Sequence, residues 1–153
     1  MKLVNDLETS EIIKNTFGGR IRIRACGVLF ENGKYLMANH HGINDLGDFW
    51  CGPGGGLEFG ESIEHTLKRE FLEETGLLIE VGKFIEFIEF VKPPLHAIEL
   101  FFEVKKIGGN LQLGHDPETG NAILKEIKWI NIEELNQLKK GELHSFYHKF
   151  IRS

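Results

Sequence analysis

The chain has 153 residues, with a hydrophobic share of 41% and a charged share of 27%, figures ordinary for a soluble protein with one core. Its formal net charge of −5 argues against a stable nucleic acid complex, because proteins that grip duplexes carry a basic face. No run approaches the roughly 20 apolar residues of a membrane-spanning helix, and the opening MKLVNDLETSEIIKNTF does not read as a signal peptide, so a cytoplasmic protein with no membrane partner is expected.

In chain order, Leu7 to Phe17 is predicted as a short leading helix with Ile12, Ile13 and Phe17 as its apolar positions. In IRIRACGVLFENGKYLMANH, two β-rich runs flank Glu31-Asn32-Gly33, which predicts a hairpin. Arg20, Arg22 and Arg24 alternate, so one face of the first strand is basic. Arg24 could meet a substrate phosphate, but charges of this kind more commonly protect an exposed strand edge. His40 and His41 lead into HGINDLGDFWCGPGGG, a loop dense in glycine where surface histidines are expected. A helix is predicted from Glu61 to Thr75, with Ile63, Leu67 and Phe71 as its buried stripe, Ser62 as a cap and Gly76 as the terminator.

Two strands follow, Lys83 to Val91 and His96 to Lys105, separated by Pro93-Pro94. Gly108 to Asn121 then leads to a last strand from Leu124 to Ile130, a short helix from Ile132 to Leu138 and another near the C-terminus. Strands interspersed with helices predict an α/β fold with a mixed sheet covered by helices. Cys26 and Cys51 show no metal-binding spacing and are expected to be reduced and buried. Phe87 or Phe101 could stack on a base, although core packing is the expected task of most of the 12 phenylalanines. Asp116, Glu118 and Glu126 are open candidates for a base or an additional ligand.

The chemistry concentrates in the central helix. Glu70, Glu73 and Glu74 lie three and four residues apart and share one helical face. Like charges at these spacings repel by a few tenths of a kcal/mol per pair. They also stand in the last turns, where the helix dipole is negative and disfavours anions. A divalent cation would offset both effects, because clustered carboxylate oxygens suit Mg²⁺ and Mn²⁺. On the helix alone a solvated acidic face explains the pattern about as well. Gly52-Pro53-Gly54-Gly55-Gly56, just upstream, shifts that balance, since glycines let a backbone approach a ligand closely.

The stretch GGLEFGESIEHTLKREFLEETGL, Gly55 to Leu77, resembles the Nudix box: a glycine, a glutamate after five residues, then Arg-Glu-apolar-any-Glu-Glu-any-Gly-apolar after seven more. Gly55, Glu61, Arg69, Glu70, Phe71, Glu73, Glu74, Gly76 and Leu77 all match it. Trp50 and Pro53-Gly54 before the box, and IKWINIEEL near the end, are similar to other parts of the family. The resemblance implies a single Nudix hydrolase domain over residues 1–153, folded as an α/β/α sandwich with a mixed β-sheet. It implies Glu70, Glu73 and Glu74 as metal ligands for Mg²⁺ or Mn²⁺, with the Gly54 carbonyl as a further ligand. Arg69 would orient the glutamates and Glu61 would support Arg69. Glu70 is in addition a candidate for deprotonating the attacking water.

The implied reaction is hydrolysis of a phosphoanhydride bond in a nucleoside diphosphate linked to a group X. ADP-ribose or a nucleotide sugar is the leading substrate, from a likeness to small bacterial ADP-ribose pyrophosphatase-like proteins. Pool-cleaning hydrolysis of nucleoside triphosphates is the alternative, and dinucleoside polyphosphates or RNA 5′ ends are less favoured. A non-catalytic nucleotide-binding regulator would be expected to lose box glutamates, and this chain keeps them all. Members of the family often form homodimers, but the sequence does not determine oligomeric state.

Overall fold

In the computed structural model, residues 11–44, 46–115, 119 and 123–151 are described. Residues 11–17 are helical (α1), with Ile13 buried. Strands β1 (Ile21–Val28), β2 (Phe30–Glu31), β3 (Lys34–His40), β4 (Trp50–Cys51) and β5 (Gly54–Gly56) precede helix α2 (Ile63–Thr75). Strands β6 (Leu77–Lys92), β7 (Leu95–Gly109) and β8 (Leu124–Asn131) follow, then helix α3 (Ile132–Gln137).

One sheet runs in the order β5-β1-β7-β6, and a second joins β2-β3-β4 with β8 paired to β3. The first is mixed, because β1 and β7 are parallel while β1–β5 and β6–β7 are antiparallel. The expected mixed α/β architecture is therefore present. Alternation along β1 supplies both sides of its sheet. Ala25 packs with Leu67 and Phe71 of α2 and with Ile79 and Val104, whereas Cys26 packs with Tyr35, Met37, Phe101, Phe146 and Tyr147. Burying side chains such as Leu67 and Phe71 contributes about 1.5–3 kcal/mol each. Cys26 and Cys51 are buried free thiols, as expected.

The hairpin at Asn32-Gly33 forms with positive φ at both residues, as a tight two-residue turn requires. It joins only β2 to β3, however, because the IRIRACGV run pairs with β7 and β5 instead. That placement overturns the strand-edge reading for Arg24, which has β7 on one side and β5 on the other. The glycine run is only partly a loop. Gly54–Gly56 is a strand, and a Cβ on Gly54 would collide with the Ala25 carbonyl and Cys26 Cα. Glycine permits that close pairing.

Helix α2 begins two residues later than expected, with Ser62 Oγ accepting from the His65 N–H at 3.1 Å. Gly76 ends it in the left-handed region, at φ 74. Strands β6 and β7 extend well beyond their predicted ends, through bulges near Leu78, Val81 and Phe84. Beyond β7 the chain passes the end of α2, where Gln112 and Gly114 N–H donate to the Thr75 and Glu74 carbonyls at 2.9 Å each. The second C-terminal helix is a 3₁₀ helix over Ser145–Phe150. Among the described residues no helix is long and apolar enough to cross a membrane.

Candidate active site

Arg69 of helix α2 gathers three carboxylates around its guanidinium. Arg69 donates through Nε and Nη2 to the two oxygens of Glu61, at 2.7 and 2.9 Å, and through Nη1 to Glu70 at 2.9 Å and Glu73 at 3.2 Å. Glu61 is also held by Thr66 Oγ1 at 2.7 Å. The Arg69 hydrogen bonds, helped by Thr66 and opposed by burial, lower the Glu61 carboxyl to about 2. Charge-assisted pairs of this bidentate kind are short and directional. They fix the arginine, and through it the orientation of Glu70 and Glu73.

Glu70 and Glu74 are buried side by side and share a hydrogen bond. Burial pushes the Glu70 carboxyl up, against the opposing pull of Glu74 and Arg69. Oε2 of Glu74 is buried and accepts no hydrogen bond. Gly55 lies directly over Glu70, since a Cβ there would overlap its carboxylate. The third glutamate behaves differently. Glu73 is half-buried and turned to Arg69, and among the described residues no three acidic, imidazole or thiol groups close around a common point. Glu70 and Glu74 lie together, whereas Glu73 stands apart from them on the Arg69 side, so the three carboxylates expected to converge do not close on one point here.

The donor set still suits a hard divalent cation, with clustered carboxylate oxygens, one of them buried without a donor, beneath a glycine strand with no side chain in the way. Glu70, Glu74 and Gly54 to Gly56 line a cavity of about 130 Å³. Ile13 and Phe17 of α1, Phe49, Phe90 and Leu95 supply apolar lining, and Arg22, Arg24, Glu99 and His144 supply polar lining. The Arg22 guanidinium lies 4.0 Å above the Phe17 ring.

The remaining candidates divide. Arg24 reaches the cavity, where it donates to Glu99 at 2.7 Å. His40 also lines the cavity, whereas His41 pairs with Asp48 at 3.0 Å. Arg20 is exposed and donates to the Thr16 carbonyl. Phe101 is fully buried in a stack on Phe146, and Phe87 is exposed. Glu126 is exposed on β8 opposite Asn39, and Asp116 and Glu118 lie outside the described residues. Neither Glu99 nor His144 is assigned a role from the sequence. A signal existed, because Ala97, Glu99 and Phe101 share one strand face and a lone acid between two apolar residues there demands a buried partner.

Comparison with known proteins gives a consistent result. A family model described as NUDIX domain matches residues 20–153. The nucleoside triphosphatase NudI of Enterobacter sp. is 31% identical over 131 residues, 80% of this chain and 91% of that protein. The ADP-ribose pyrophosphatase of Methanocaldococcus jannaschii is 30% identical over 114 residues, 73% of this chain and 63% of that protein. Among solved structures, a NUDIX hydrolase from Nitrosomonas europaea superposes with a TM-score of 0.70 at 20% identity, covering 86% of each chain. A likeness at that identity speaks to the fold alone.

Proposed function

The chain belongs to the Nudix hydrolase family, and from that premise we propose that it hydrolyses, with a divalent cation, a phosphoanhydride bond in a nucleoside diphosphate linked to a further group. The observation that carries this reading is the pair of buried carboxylates, Glu70 and Glu74, with Gly55 over Glu70, on a helix whose one arginine binds three acids. Burying like charges together without a cation is costly.

Glu70, Glu73, Glu74 and the Gly54 carbonyl would hold Mg²⁺ or Mn²⁺. When bound, the cation polarises phosphoryl oxygens and makes water a better nucleophile at neutral pH. The chain's own residues supply position. Arg69 fixes the carboxylates, Glu61 fixes Arg69, and the glycine strand lets the phosphates approach the helix. Glu70 is in addition a candidate to accept a proton from the attacking water.

Two relatives point to different linked groups. The triphosphatase, covered over 91% of its length, favours phosphate as that group, hence a nucleoside triphosphate substrate. The ADP-ribose pyrophosphatase supports ADP-ribose or a nucleotide sugar. A phosphate-release screen decides. Nucleoside triphosphates are incubated with Mg²⁺ or Mn²⁺ and an inorganic pyrophosphatase, and ADP-ribose, nucleotide sugars and dinucleoside polyphosphates with the same ions and a phosphatase, so that phosphate is freed only from products. Metal-dependent release from one class is expected. Uniform inactivity across the panel would replace the hydrolase with a nucleotide-binding regulator.

A further inference from the structure

Away from the box, a second ionic chain reaches the same cavity. Arg24 of β1 and Glu99 of β7 are register partners in the parallel pairing, and Nη1 of Arg24 donates to Glu99 Oε2 at 2.7 Å. Nε2 of His144 lies 2.7 Å from the other oxygen, Oε1. The His144 tautomer follows from its other nitrogen, because Nδ1 accepts the Phe146 N–H at 3.0 Å. Nε2 therefore carries the hydrogen and donates to Glu99. Burial would raise the Glu99 carboxyl, but His144 and Arg24 outweigh it and hold it below the usual range.

Exposure along this chain is graded. The side chains of Glu99 and His144 are 4% and 6% exposed, whereas Arg24 is 23% exposed and lines the cavity with Glu70, Glu74 and the glycine strand. The Glu99 carboxylate thus has a sealed donor behind it and, before it, an arginine that lines the cavity. A guanidinium offers five N–H donors in a planar fork that matches phosphate, and Glu99 engages the fork at Nη1.

We propose that Arg24 receives a phosphate of the nucleotide, and that Glu99 and His144 are positioning residues that hold its fork toward the cavity. This rests on the hydrolase reading above, and names the protein contact on the phosphates that the box carboxylates, being anions, would repel.

The test measures binding of α,β-methylene-ADP with Mg²⁺ by calorimetry, and melting of each variant. Replacing the pair together, Arg24→Met with Glu99→Met, leaves no buried charge behind and should fold. Its affinity for the probe is expected to fall about 10- to 100-fold, the worth of one or two charge-assisted hydrogen bonds. If the double variant does not fold, Arg24→Gln, which retains a donor for Glu99, takes its place with the same expectation. His144→Phe keeps a ring beside Phe101, 5.3 Å away in the wild type, but removes the donor. It should raise KM about 3- to 10-fold with a smaller change in kcat, and His144→Gln should restore much of the loss.

Wild-type affinity in a folded Arg24 variant would overturn the assignment of Arg24. A His144→Phe protein that melts lower but keeps its KM would reduce His144 to packing. A wild type that binds the probe yet hydrolyses nothing would sink the hydrolase reading while the variants still decide this one, and a wild type that does not bind would sink this inference.

Discussion

Two ionic networks reach one cavity, the first through Glu70 and Glu74 and the second through Arg24, Glu99 and His144, and they differ in charge balance. On α2, one guanidinium serves Glu61, Glu70 and Glu73, with Glu74 beside them, so negative charge is left over. Between β1 and β7, one carboxylate is shared by Arg24 and His144, and its oxygens are both engaged. The first arrangement carries the surplus negative charge that a cation would offset. The second is complete in itself and presents surplus donors, which suits an anion. A metal-assisted phosphate site needs one wall of each kind.

The largest expected effect sharpens the cationic side of this contrast. Glu73→Gln and Glu74→Gln, each nearly isosteric, should lower metal-dependent turnover by about 100-fold or more while circular dichroism reports an intact fold. Full turnover in either protein would remove that residue from the metal set.

A smaller effect concerns stability. Burial raises the Glu70 carboxyl above its ordinary value of 4.5, so its favourable contribution is present below that value and is lost as pH climbs through the raised one. Binding a cation needs this carboxyl ionised. Magnesium should therefore raise the melting temperature more at pH 8 than at pH 5, by about 2–4 °C for each kcal/mol of added stabilisation. An equal shift at both values would show that Glu70 is not linked to the ion.

The smallest effect has the opposite sign. Glu61 is lowered from 4.5 to about 2, so its stabilising interaction is present above the unfolded value and fades as pH falls toward the folded one. The difference in melting temperature between wild type and Glu61→Gln should narrow as pH drops from 5 toward 2.5. A constant difference would mean that the carboxylate charge plays no part in holding Arg69.

The difference between the walls also governs what could be read from sequence. The helical wall is local. Glu61 and Arg69 are eight residues apart, Ser62 caps and Gly76 terminates the same helix, and a 3.6-residue period places Leu67 and Phe71 against the core. All of that was legible. The direction of Glu73 was not, because its carboxylate had two suitors, a cation and Arg69, and spacing does not rank them. The sheet wall depends on contacts between residues 75 and 45 positions apart, Arg24 with Glu99 and Glu99 with His144. Parallel pairing of β1 with β7 creates the first contact, and alternation along each strand is the same whichever strand lies beside it. The glycine run misled for a related reason. Its residues read as loop formers, yet the close approach of β5 to β1 excludes any side chain at Gly54.

The main-chain strap across the end of α2 resolves one oddity of the motif. The last turn of that helix contains Glu73 and Glu74 and no basic residue, although the partial negative charge of exposed carbonyls there should repel acids. Gln112 and Gly114 direct their amide hydrogens at the Thr75 and Glu74 carbonyls, and so quench the terminal dipole with peptide groups instead of a lysine. A lysine in that turn could have swung across and neutralised the glutamates themselves. Backbone amides cannot, and the acids stay available for a metal.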